Sequence, residues 1–206
     1  MQGLSVAWLA LGVALVAGLP AEAADEYVAD GRLPLTSIMA RFDTLTTEHG
    51  WHADTIFAYP DQPGLAIKAW RTTQQGPALW LLAGVHGEEP AGPNAIARQL
   101  PVLAQLAAQG VPMVVIPLAN PRAYRHHWRY PNTPERDWKT GGGYSVGDAE
   151  YLLPDLGAGT QARAAQAPGP ETLALTRHVL QLAQQYPPRL VIDLHEDELS
   201  TAGGYI

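Results

Sequence analysis

The stretch LLAGVHGEEPAGPNAIARQL (81–100) decides how this sequence is read. Its first residues continue an apolar run that begins at Ala78 and shows no alternation, as in a strand covered on both faces. Gly84 ends the run. His86, Gly87, Glu88 and Glu89 follow, and Pro90 suits the first turn of a helix. A strand that breaks into a helix through a histidine and two carboxylates is either a polar cap or half of a metal site. His86 and Glu89 stand three residues apart, so both side chains can reach one side of the turn.

Working outward, the same alternation of element types recurs. TIFAYP (55–60) and GLAIKAWR (64–71) read as two strands joined by a turn at Asp61-Gln62-Pro63. A helix is expected before them, with Thr36 or Ser37 as its N-cap. PAGPNAIARQLPVLAQLAAQG (90–110) reads as a helix kinked or divided at Pro101 and stopped at Gly110. VPMVVIPL (111–118) is a second buried strand. PETLALTRHVLQLAQQY (170–186) is an amphipathic helix with an acidic first turn, and RLVIDLHEDE (189–198) is a third buried strand that ends in charge. Residues 119–168 carry Pro, Gly, Arg, Tyr and Trp without helical or strand period, and a stretch of that length in a compact domain points to function or disorder.

This order predicts an α/β domain with a largely parallel central sheet. Ligands in such sheets bind beyond the carboxyl ends of the strands. HGEE (86–89), NPRAYR (120–125) and DLHEDE (193–198) all fall at that edge, from three separate segments. His195 is therefore the natural third partner for His86 and Glu89. A catalytic zinc site uses three protein ligands and leaves one position open. Asp193, two residues before His195, shares its side of the strand and could orient its imidazole.

Composition narrows the functional classes. The chain has 206 residues, 47% apolar and 16% charged, which suits one domain with a sizeable core. A formal net charge of −7 and no extended Lys/Arg face argue against nucleic-acid binding. RAYRHHWRY (122–130) is the one dense basic stretch and would suit a small anionic substrate. Residues 1–23 read as a secretory signal, with an apolar run VAWLALGVALVAGL and the triplet Ala21-Glu22-Ala23. The run is shorter than the roughly 20 residues a bilayer span needs. The expected mature domain is thus 24–206, periplasmic or secreted, with no membrane span left after cleavage. There is no cysteine, so any metal must sit on His, Asp or Glu.

GVHGEEPAG, NPRAYR and VIDLHED together resemble the zinc carboxypeptidase family, peptidase family M14, which includes the succinylglutamate desuccinylase/aspartoacylase-like deacylases. The resemblance runs from about residue 78 to the last residue. It implies a three-layer α/β/α fold with a mixed sheet, of the phosphorylase/hydrolase-like type, of which this chain would supply a C-terminally truncated part. It implies one zinc ion on His86, Glu89 and His195, a supporting Asp148 beside His86, and Arg125 or Arg129 polarising the substrate carbonyl. The family's Asn-Arg carboxylate clamp is matched by Ala149-Glu150-Tyr151 and is missing. The family's general-base glutamate lies on a strand beyond the third ligand and has no counterpart here; Glu88 is the one substitute near the ligands. The expected activity is hydrolysis of a peptide or amide bond by a metal-activated water. An N-acyl-amino-acid deacylase and a non-catalytic zinc or peptide-binding module are the alternatives.

Overall fold

The computed structural model describes residues 30–130 and 169–196. Within them, α1 (Leu35–His49) precedes a hairpin of β1 (His52–Ala58) and β2 (Ala66–Arg71). Next come β3 (Ala78–Ala83), α2 (Ala91–Arg98), α3 (Leu100–Ala108), β4 (Met113–Ile116), α4 (Pro121–His126), α5 (Pro170–Gln185) and β5 (Pro188–Leu194). The strands form one mixed sheet in the order β1-β2-β4-β3-β5. β1 and β2 pair antiparallel, as do β2 and β4, whereas β3 lies parallel to both β4 and β5.

Each helix follows from a local cause. α1 buries Leu35, Ile38, Phe42 and Leu45, spaced to face one side, and stops at Gly50 in the left-handed region (φ 70°). It starts at Leu35 rather than after Thr36 or Ser37, because Pro34 supplies a fixed φ of −53° and its carbonyl accepts the Ile38 amide at 3.1 Å. α2 and α3 are separate helices that meet at Gln99, with Pro101 in the first turn of α3, where its missing N–H costs nothing.

The crossover from β3 through α2 and α3 to β4 steps one way along the sheet, and that from β4 through α5 to β5 steps back. Right-handed crossovers put the two on opposite faces. The contacts agree: α1 touches α2, α3 and α4, whereas α5 packs on β1 and makes no comparable contact with any of those helices. The result is a three-layer α/β/α arrangement. β4 is buried throughout, and Trp70, Phe42, Ile67, Met113 and Ile116 fill the centre.

β5 departs from expectation. Its apolar run suggests a strand covered on both faces, yet Leu190, Val191 and Ile192 are 54%, 57% and 37% exposed. β5 pairs with β3 along one edge, and α2 approaches it closely at its last residue, Leu194, beyond the exposed row. An apolar run reports that a strand can be covered, not which segment covers it.

Candidate metal centre

β3, β4 and β5 end side by side, and the chain leaves each through a residue whose shape is constrained. Gly84, after β3, has φ +64°, and a Cβ there would lie 2.6 Å from Leu118 Cδ1. Its carbonyl accepts the Asn120 amide at 2.8 Å, which carries the parallel pairing past the ends of β3 and β4. Asn120 is fully buried. Its side chain accepts from Ala123 N at 3.1 Å, capping α4, and donates to Val85 O at 3.3 Å, beside His86. α2 approaches the end of β5 closely at Gly92, where a Cβ would meet Leu194 O at 2.8 Å. These contacts bring His86, Glu89 and His195 to one place.

One ligand atom from each of the three lies within 4.8 Å of the other two. Glu89 is the hub. His86 Nδ1 lies 2.8 Å from its Oε1, and His195 Nδ1 lies 2.8 Å from its Oε2. The Glu196 amide donates to Oε2 at 3.2 Å, and Arg129 to Oε1 at 3.2 Å. Burial alone would raise the Glu89 pKa, but the hydrogen bonds from His195 and His86 outweigh it and hold the carboxyl far below its usual range. His195 moves the other way. Asp193 Oδ2 stands 3.1 Å from its Nε2, and this contact, then Glu89, pushes its pKa up to about 10.

The donor set fits a zinc ion. Two imidazoles and one carboxylate are the ligands of a catalytic site, and tetrahedral donors at zinc stand ~3.4 Å apart. The group here needs only a small contraction from its 4.8 Å limit. Asp193 engages the His195 nitrogen that faces away from Glu89, the place of a carboxylate that orients a ligating imidazole.

The other sequence expectations divide. Arg129 stands at the cluster, 2.7 Å from Glu88 Oε1 as well as 3.2 Å from Glu89. Arg125 does not; it donates to Gln62 Oε1 at 3.4 Å, in the hairpin turn. Arg122 pairs with Asp61 and lies over Tyr59. The basic stretch is therefore no free anion patch: each arginine serves a different neighbour. Glu88 is half-buried: Arg129 holds Oε1, and Oε2 is shut from solvent. His126 and His127 are half-buried. His126 stacks on Trp128 with ring centroids 4.6 Å apart, and His127 Nδ1 is 3.1 Å from Asp30 Oδ2. Asp148, Ala149-Glu150-Tyr151 and residues 1–23 lie outside the described residues.

Sequence reasoning missed two groups. Glu196 Oε2 accepts the Ala91 amide at 3.0 Å, so the residue after His195 caps α2. Arg32, from a stretch without any motif, is 6% exposed and reaches Gly87.

No known family profile matches the chain, and no curated protein sequence matches it. Solved structures do. A candidate metallopeptidase from Shewanella denitrificans OS217 superimposes with a TM-score of 0.56 at 21% identity, covering 79% of this chain and 52% of that one. A metallo-carboxypeptidase from Burkholderia cenocepacia gives 0.53 at 14%, covering 81% and 42%. Bovine thrombin-activatable fibrinolysis inhibitor, solved with tick carboxypeptidase inhibitor, gives 0.53 at 13%, covering 81% and 61%. The chain spans about half the length of the structures it matches. At these identities the likeness concerns the fold, and the described residues fold as metallocarboxypeptidases do.

Proposed function

We propose that this chain is the zinc-binding part of an exported hydrolase that cleaves a peptide or amide bond. The carrying observation is the His86–Glu89–His195 group at the carboxyl ends of β3 and β5, in a fold shared with metallocarboxypeptidases. Zinc bound there would supply a Lewis acid and an activated water. The protein's own part is to hold the donors and the charge around them. Asp193 orients His195 from behind. Glu89, kept ionised by its partners, offers negative charge to a cation at neutral pH. Arg129 stands beside Glu89, where its guanidinium can turn toward a carbonyl oxygen and stabilise charge developing on it. Glu88 is a poor proton carrier in this state, because Arg129 occupies one of its oxygens and the other is shut from solvent.

The test is metal content after dialysis, with hydrolysis of N-acyl amino acids and cell-wall peptides measured in parallel. One zinc per chain is expected, and His86→Ala should retain none. A parent chain that keeps no metal sinks the reading. Relative rates on the two substrate sets separate peptidase from deacylase. Export rests on residues 1–23 alone. Secreted or periplasmic protein should begin near Ala24, and cytoplasmic protein beginning at Met1 would overturn it.

A further inference from the structure

Arg32 precedes α1 by three residues, is 6% exposed, and has no part in the chemistry above. Burying a guanidinium is costly unless its donors are met. Here they are met by backbone of two other segments. Nη1 donates to Gly87 O at 3.3 Å and to Tyr124 O, in the last turn of α4. Nε and Nη2 face Asp30, with Nε 2.9 Å from Oδ2, and Nη2 also meets His127 Nδ1. The stem of Arg32 is fixed on both flanks. Asn94 Nδ2 donates to Gly31 O at 3.0 Å, the Leu33 amide donates to Asn94 Oδ1 at 2.9 Å, and Tyr124 Oη donates to Leu33 O at 2.8 Å.

Gly87 sits between two of the proposed metal ligands, and both of its backbone polar groups are held. Its N–H donates to Arg129 O at 3.4 Å, and its carbonyl is the one Arg32 takes. A Cβ at Gly87 would lie 2.1 Å from the Ala123 carbonyl carbon, so this loop is pressed onto α4. The guanidinium bridges those same two pieces, the loop through Gly87 O and α4 through Tyr124 O. We infer that Arg32 is a positioning residue: it fixes the loop between His86 and Glu89, and so sets metal affinity without touching the ion. The inference rests on the metal reading proposed above. A rival role is confined to stability, with Arg32 only neutralising the carbonyl end of α4. The two roles separate by measurement.

Zinc affinity of the full chain is measured by chelator competition, with cobalt substitution and its visible absorption as a geometric signature. Melting temperature is followed throughout. Arg32→Lys keeps charge and stem but loses the planar fork that serves Asp30, Tyr124 O and Gly87 O together. It is expected to weaken zinc binding about tenfold, the lower end for groups that orient ligands, and to shift the cobalt spectrum. Arg32→Met should weaken it further. The control is Arg71→Lys, a half-buried arginine bound to Asp54 far from the site, which should lower melting temperature and leave zinc affinity within about twofold. Asp30→Asn is a gentler lesion on the same guanidinium, readable if neither Arg32 variant folds, and should cost several-fold in affinity. Arg32 and Asp30 variants that melt earlier yet bind zinc as the parent does would overturn the inference and leave the metal reading standing. A parent chain that binds no zinc would remove both.

Discussion

The two ends of the sheet use the same kinds of charged side chain in opposite ways. At the amino ends of β3 and β4, the polar groups are strung in a chain of partners. Arg71 Nε donates to Asp54 Oδ2 at 2.7 Å, and its Nη1 faces Tyr186 Oη at 3.4 Å. Tyr186 Oη donates to Thr72 O at 2.5 Å, and Thr72 Oγ1 accepts from the Met113 amide at 3.0 Å. At the carboxyl ends, one carboxylate is oversubscribed. Glu89 serves two imidazoles, an arginine and a backbone amide with its two oxygens. Balanced pairing makes a joint. Crowding donors and imidazoles around one buried carboxylate makes a place that a cation can organise, and it lies where open α/β sheets bind ligands.

The sharpest way to break this contrast is to destroy one end alone. Gly87→Ala places a methyl 2.1 Å from a backbone carbon of α4, and neither backbone can yield without moving a proposed ligand. The expected result is loss of zinc retention together with roughly 3 kcal/mol of stability, as for severe overpacking. Retention of zinc by a folded Gly87→Ala chain would show that the loop has room the structure does not display.

A second prediction sets the end's own stability against its affinity. The His195 pKa is raised from 6.5 to about 10 by Asp193 and Glu89. A raised pKa contributes stability that is fully present below the unfolded value and is lost as pH rises through the folded one. Metal-free protein should therefore melt at progressively lower temperature between about pH 6.5 and 10. Zinc must displace that same proton, so its apparent affinity should climb over the same range. Opposite slopes, by calorimetry and by chelator competition, are the signature. Parallel slopes would mean that the proton on His195 is not the one zinc displaces.

The smallest effect belongs to the opposite end. Arg71→Lys, the control above, removes hydrogen bonds to Asp54 and Tyr186 and should cost about 1–2 kcal/mol with no change at the metal group.

How much of this was legible from residues depends on whether the cause was local. β2, β3, β4 and α5 announce themselves as apolar runs or one-sided periods, and the division at Pro101 follows from a missing N–H. β1 begins at His52, earlier than its β-rich residues suggest, because the ladder with β2 runs on to the His52–Arg71 pair. α4 escaped because six residues are too few to show a period; its Asn120 cap was the one usable signal. The candidate ligands His86, Glu89 and His195, with Asp193, could be proposed because chain order puts them at one edge and the HxxE and DxH spacings match a known motif. Arg32 could not. Its role is set by partners 55 and 92 residues away, and nothing in DGRLP (30–34) marks the arginine as buried.

β5 has a consequence for how the molecule behaves in solution. Leu190, Val191 and Ile192 stand exposed in a row, with Arg189 before them and Asp193 after. Among the described residues β5 stands at one end of the sheet, and an unpaired edge of β-branched and leucine side chains is a template onto which another strand can add. The flanking charges act as gatekeepers, slowing indiscriminate addition without closing the edge. Asp193 thus stands at two places at once: its carboxylate lies 3.1 Å from an imidazole of the proposed metal group and puts a charge at the end of the exposed apolar row, where charge disfavours strand addition. A neutral residue there would be felt first as cloudiness in a concentrated sample, before any assay of chemistry was run.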